Sequence, residues 1–436
     1  MKDLPATPPD AQTARILANI EAAAADRPPG AVALLCTTAE IRRRAQALLA
    51  RAREGRSAFF TVHDKALEAA ADAVVRATRS RYPHGAIPFH SRWRHFEVGG
   101  VDRRARLDEL LGPVAPAVRA RAQIDLALVS VLLDAGAGPG WHYEEAASGQ
   151  RFGRSEGLAV ASFHAFTAGM FSSRADAPLQ VDAQGLRGVI TERLAQAFQA
   201  TPANPLLGLE GRATLLRRLG ETLAEHPSEY GSEGRPGRLL DLLANTDDDE
   251  IPSTAEVNAH GILSTLLLTL NGIWPAGNAI GGLPVGDCWP LQEARGPGLS
   301  DGWMPFHKLS QWLTYSLLEP FQWAGIKVHG IDALTGLPEY RNGGLLIDSG
   351  VLRLRENTAG CRWKAGDPCI VEWRALTVAL LDALAPLVRA RLGLSAEAMP
   401  LACVLEGGTW AAGREYAQRL RGGLPPLEIE SDGTVF

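Results

Sequence analysis

Apolar residues recur every three or four positions along much of this chain, the spacing of one buried helix face. The clearest run is Ala115 to Leu133, where Ile124, Leu126, Leu128, Val129, Val131, Leu132 and Leu133 leave little polar face. It predicts a central buried helix. The glycine- and proline-rich run from Asp134 to Gly140 stops it, because glycine ends helices and proline cannot continue one. Further helices are predicted over Ala11 to Ala25, Ile41 to Ala52 behind the capping box Thr37-Thr38-Ala39-Glu40, Thr61 to Ser80, Asp182 to Gln199 and Gly211 to Glu225. A second capping box, Ser253-Thr254-Ala255-Glu256, precedes Val257 to Leu270, and Leu309, Trp312, Leu313, Ser316, Leu317 and Phe321 trace another helix. Val371 to Asp382 opens a long C-terminal one.

Strand signals are few. Trp141 to Glu145 and Gln150 to Phe152 flank a Ser-Gly turn and read as a β-hairpin. Arg154 to Ala159 then opens a helix with Ser155 as its N-cap. Short β-like runs lie between Gly325 and Leu354, and the tail from Pro425 to Phe436 is strand-like. Glycine and proline punctuate Pro275 to Pro305, which predicts loop. The fold class is therefore mostly α with small β elements. Residues 226 to 252 are polar and give the best internal boundary, yet no fixed-period repeat appears. The expectation is a single compact catalytic unit over 1–436, with two interleaved lobes, 1–245 and 246–436, as the alternative division.

Composition narrows the classes. Apolar content is 46%, charged content 21% and net charge -5, an ordinary globular balance. Acids and bases are mixed, against a nucleic-acid or membrane-surface protein. Five cysteines lie far apart with no CxxC pair, so neither a disulfide framework nor a cysteine zinc site is expected, and reduced thiols in the cytoplasm fit. No apolar leader follows Met1, and Gly261 to Trp274 is too short and too interrupted to span a bilayer.

The chemistry concentrates in a few stretches. Gly286-Asp287-Cys288-Trp289-Pro290 and Ser300 to Trp312 bring Asp287, Asp301, Trp289, Trp303, His307, Lys308 and Gln311 together around one loop and one helix start, and loops on a rigid scaffold commonly carry sites. Phe89 to Phe96 packs Arg92, Trp93, Arg94 and His95 into one segment. Arginine and aromatic rings there can bind phosphate and stack on a planar group. Glu372 and Arg374 lie near the first turn of the C-terminal helix, where a structural ion pair and a substrate contact are both open. His142 and Glu144 share a hairpin face, but two ligands do not make a metal site, and no metal or other cofactor is expected. No GxSxG, P-loop or HExxH motif appears. What remains is a set of carboxylates beside aromatics and bases: Asp287, Asp301, Glu156, Asp134 and Asp348. Such a set suits hydrolysis at a sugar carbon, where a carboxylate stabilises an oxocarbenium-like transition state or activates water.

Phe89 to Phe96, Arg154 to Ala159 and Glu339-Tyr340-Arg341-Asn342-Gly343-Gly344 resemble the uracil catabolism protein 4 family over nearly the whole chain. That family is linked to a route that opens the uracil ring after phosphoribosylation and finally releases urea. A more distant resemblance is to the queuosine salvage family, N-glycoside hydrolases with a DNA-glycosylase-like helical fold. Gly286-Asp287-Cys288-Trp289 is similar to that family's Ala-Asp-Thr-Trp, and Phe306 to Gln311 to its Asp-Tyr-Arg-Leu-Pro-Gln. Val371-Glu372-Trp373-Arg374 is similar to its Val-Glu-Ile-Arg. Phe306 stands where that family has an acid, which would move the acid's role to Asp301 or His307.

Together the resemblances imply an N-glycoside hydrolase that releases urea from a ring-opened uracil nucleotide, a phosphorylated ribosyl compound such as phosphoribosylurea. Asp287, Asp301 and Glu156 are the expected catalytic acids. Trp289 and Trp303 would wall the pocket, while Arg92, Arg94 and Lys308 would hold phosphate. Trp93, His95, His307, Gln311, Arg341, Glu372 and Arg374 complete the expected substrate contacts. Other uracil-catabolism enzymes are conceivable partners; nucleic acid and membrane are not. The competing readings are an amidohydrolase cutting the ureido chain and a non-catalytic nucleotide-binding partner.

Overall fold

The computed structural model describes residues 24–134, 136–246, 249–273, 277–355 and 361–430. The expected helix over Ala11 to Ala25 and the end of the C-terminal tail lie largely outside these residues. The architecture is mostly helical, with small two-stranded sheets among the described residues. Two-stranded ribbons are marginal by themselves, so here the helices supply the core and the ribbons tie distant segments to it.

The run of apolar residues before Asp134 becomes the helix Pro116–Leu132, buried along almost its whole length. It packs against the helix Lys308–Trp323, while Pro368–Leu392 packs on Thr38–Arg53 and Ala66–Arg81. One core cluster runs from Cys36 to Leu427 and draws on both sides of the polar 226–252 stretch. No described helix is long and apolar enough to cross a membrane.

Several local expectations shift in a consistent way. Thr37 caps Thr38–Arg53 by accepting from Glu40 N at 3.2 Å, as its capping box implies. Ser253 to Glu256 does not cap. Glu256–Asn258 instead pairs in parallel with Lys327–His329, and Asn258 caps Ala259–Leu270. Phe60–Val62 is a strand paired with Leu352–Leu354, so the helix begins only at Ala66. Ser155 is inside its helix, whose N-cap is Gly153. Asp182 to Gln199 divides into Ala183–Arg187 and Thr191–Ala197. The loop over Pro275 to Pro305 contains the antiparallel pair Cys288–Pro290 and Trp303–Pro305. In each strand case a partner distant in sequence decides, which periodicity cannot register.

Two glycines explain how the helices around the site approach. A Cβ on Gly413 would lie 2.1 Å from Arg341 O, and one on Gly343 would lie 2.7 Å from the Trp373 ring. They let Trp410–Arg421 and Pro368–Leu392 close on the helix Tyr340–Asp348.

Candidate active site

A cavity of about 1380 Å³ lies where these elements meet. One wall is the chain after Pro116–Leu132, with Asp134 and Gly136 to Pro139. Three helix starts line it: Arg154, Ser155 and Glu156; Lys308 and Leu309; and Glu339, Tyr340 and Arg341. Helix N-termini carry partial positive charge. Glu339 caps its own helix, accepting from Arg341 N at 2.7 Å and Asn342 N at 2.6 Å. Asp287 accepts from Lys308 N at 3.0 Å. The start of Arg154–Thr167 has no side-chain cap.

Carboxylates and cations meet here in unusual states. Burial raises the Glu339 carboxyl, partly countered by the N–H groups of Arg341 and Asn342. Burial lowers the Lys308 ammonium, partly countered by the charge of Glu339. Opposite shifts of this kind are common in reaction centres. Lys308 forms no ion pair within 4 Å among the described residues, whereas Arg94 is held by Glu319 and Glu97, both at 2.8 Å. Trp312, Tyr340 and Trp410 supply aromatic wall.

A second wall is built on Glu406, in the π-helical turn Leu405–Thr409. Its carboxylate accepts from Arg81 at 2.6 Å and Tyr82 OH at 2.8 Å, and pairs with His90 Nδ1 at 2.8 Å. Burial alone would raise it, but His90, Arg81 and Tyr82 together bring it down to about 2. π-helical turns often occur at functional sites.

Among the residues singled out from sequence, Asp134, Glu156, Arg94, His95, Lys308 and Arg341 line the cavity. Arg92 sits directly behind it, fully buried, bonded to Asp134 at 3.0 Å, Ser130 Oγ at 2.7 Å and Ser155 O at 3.2 Å. The others do not line it. Asp287 is held by Arg374 through two bonds of 2.8 Å and by Trp289 Nε1 at 2.7 Å. Burial works against this charge, but Arg374, the Lys308 N–H and Trp289 together outweigh it and keep the carboxyl below its usual range. Arg374 turns to Asp287 and lies 4.0 Å over the Phe306 ring. Glu372, which could have been its partner, is elsewhere, bonded to Ser57 and raised by burial.

Asp301 accepts from Gly296 N at 2.9 Å and pairs with Arg295 in the surface loop. His307 is buried in left-handed backbone, its Nε2 3.0 Å from Leu35 O and 3.5 Å from Cys288 Sγ. Gln311 bridges Phe306 O and Thr335. Trp93 donates to Ser316 O and packs on Trp323. Trp303 covers the small cluster around Ala31 and Leu35. Asp348 pairs with Arg421. Among the described residues no group of three or more His, Cys, Asp or Glu could hold a metal ion, and Glu144 pairs with Arg151 at 2.9 Å.

Sequence reasoning did not single out Glu339, Glu406, Trp410 or Arg414 as site residues. Glu339 opens one of the segments that carry the family resemblance, so a signal existed. Glu406 and Arg414 reach the cavity through a π-helical turn and a close helix contact, neither of which has a short-range signature.

Residues 34–436 match a family described as "Protein of unknown function (DUF1688)". A protein named urg3 from Schizosaccharomyces pombe is 41% identical over 415 residues, covering 93% of this chain and 99% of that one. A protein named Uracil catabolism protein 4 from Lachancea kluyveri is 40% identical over 383 residues, covering 81% of this chain and 86% of that one.

Proposed function

The chain belongs to the DUF1688 family, and we propose that it works in uracil catabolism as an N-glycoside hydrolase releasing urea from a ring-opened, phosphoribosylurea-like nucleotide. The pathway part of this reading is supported by the name of the Lachancea kluyveri relative. The reaction part rests on one observation: a single cavity brings the carboxyl groups of Asp134, Glu156 and Glu339, among its acids, together with Lys308, Arg154, Arg414 and the rings of Trp312, Tyr340 and Trp410.

Hydrolysis breaks the bond between the ribosyl C1 and the urea nitrogen, and water supplies the new C1–O bond. Glu156 is the carboxylate in this set whose only ion pair among the described residues is a loose one, 3.9 Å from Arg414. It stabilises positive charge at C1 and takes the proton of the attacking water. The leaving nitrogen needs a proton. The Glu339 carboxyl, raised by burial, and the Lys308 ammonium, lowered by it, are both placed in energy to give one. Lys308, Arg154 and Arg414 are among the lining cations that could take phosphate, whereas Arg92 and Arg94 are already engaged by Asp134, Glu97 and Glu319. Incubation with phosphoribosylurea, followed by a urea assay, tests the reading. Urea release above blank, lost in Glu156→Gln, is the expected result; no urea above blank sinks it.

A further inference from the structure

Four side chains at or directly behind the cavity wall each keep a buried polar atom without a hydrogen-bond partner among the described residues: Arg92 Nη2, Asp134 Oδ1, His95 Nδ1 and Trp312 Nε1. Their side chains touch one another. Arg92 pairs with Asp134 through its other amino group at 3.0 Å, its guanidinium lies 5.7 Å from the Trp312 ring centroid, and the His95 ring meets Trp312 edge-on at 5.9 Å. Asp134, His95 and Trp312 all line the cavity. Native proteins leave few buried polar atoms unmatched, because each costs its full desolvation. Four such atoms on side chains that contact one another in series therefore call for a partner.

The character of that partner can be worked out. The charges of Arg92 and Asp134 cancel, and an unmet carboxylate oxygen repels anions, so a phosphate does not belong here. An alkyl or aryl group would leave all four atoms unmet. Arg92 Nη2 and Trp312 Nε1 can only donate, and Asp134 Oδ1 can only accept while ionised. Burial and the positive charge of Arg92 push the His95 imidazole down to about 4, so near neutrality the ring is uncharged and in its Nε2–H tautomer Nδ1 accepts. The set is two donors and two acceptors around a net-neutral notch.

We propose that this notch recognises an uncharged ureido group. The ureido carbonyl oxygen has two lone pairs for Arg92 and Trp312, and its N–H groups face Asp134 and His95. The four atoms are buried in this structure, so seating it requires the notch side chains to rotate toward the cavity. The proposal rests on the reading above for the identity of the whole substrate, but on these four atoms for the group recognised. It places the urea end of the substrate inward and the phosphate toward Lys308, Arg154 and Arg414.

The test uses N-methylurea as probe at millimolar concentration with the full chain, followed by NMR of the indole N–H signals. The Trp312 Nε1–H signal should shift saturably, and tetramethylurea, which has the carbonyl but no N–H, should leave it unmoved. Trp312→Phe keeps the ring and deletes the donor. Binding, followed by ligand-observed NMR, should weaken about tenfold, the loss expected for one hydrogen bond to a buried group. Asp134→Asn should weaken it similarly. Equal binding of tetramethylurea, competition by inorganic phosphate, or unchanged affinity in Trp312→Phe overturns the proposal. Methylurea binding without urea release from phosphoribosylurea supports the notch and defeats the hydrolase reading. Urea release with an unchanged KM in Trp312→Phe does the reverse.

Discussion

Asp287→Asn separates a catalytic role for this residue from an architectural one. The Asp287 carboxylate accepts two bonds from Arg374, one from Trp289 Nε1 and one from Lys308 N, at 2.7 to 3.0 Å. The Arg374 side chain is 1% exposed and that of Asp287 14%. An asparagine keeps the shape, but it removes the charge and turns an NH2 toward groups that only donate. Removing one partner of a buried ion pair costs about 3–5 kcal/mol. Unfolding entropy near the midpoint is about 2.1 cal/mol/K per residue, or about 0.9 kcal/mol/K for 436 residues. The melting midpoint should therefore fall by about 3–5 °C, measured by scanning calorimetry. Because Asp287 fixes Lys308 N, the variant should also lose activity by displacing Lys308. The double variant Asp287→Asn/Arg374→Met no longer strands a buried cation, and it should recover much of the lost stability. A midpoint within about 1 °C of the parent, or a double variant less stable than Asp287→Asn alone, would refute this account.

Glu156→Gln should lower kcat by roughly a hundredfold or more, the range for losing one key charged or proton-transfer group, with little change in melting; a near-normal kcat moves the role to Asp134 or Glu339. The Glu406 carboxyl, lowered from 4.5 to about 2, contributes stability that is fully present above pH 4.5 and is lost as pH falls from there toward 2. The stability gap between the parent and Glu406→Gln, from guanidinium titrations, should accordingly shrink between pH 6 and pH 3; a gap that stays constant contradicts it. His95 has its pKa lowered from 6.5 to about 4, so it disfavours the folded state as pH falls through that window, and its imidazole NMR signals should titrate near 4 rather than near 6.5. Gly413→Ala puts a methyl 2.1 Å from Arg341 O and should destabilise by about 1–3 kcal/mol while lowering kcat/KM, because Arg341 lines the cavity; full activity and stability would mean the two helices part without cost.

The sequence by itself showed the long helices with a continuous apolar face, but not Tyr340–Asp348, which lies in a run read as β-like, nor Trp410–Arg421. Pro116–Leu132 and Lys308–Trp323 could be read from spacing, since a helix buries a face that recurs along the chain. The hairpin at His142–Glu145 and Gln150–Gly153 was legible for the same local reason, a turn between alternating runs. The resemblance segments located Arg94, His95, Glu156 and Arg341, all of which line the cavity. Tertiary structure decided the rest, because the remaining facts are pairings across long separations. Asp287 meets Arg374 across 87 positions, and Glu406 meets Tyr82 across 324. An acid beside tryptophans in a glycine-bounded loop looks the same in sequence whether it faces a cavity or a buried guanidinium. Only the approach of Pro368–Leu392 gives Asp287 its partner, and only the close contact at Gly413 brings the Trp410–Arg421 helix to the cavity wall. Charge and residue type are local properties, but the solvent exclusion and the partner that set what a carboxylate can do belong to the packed chain.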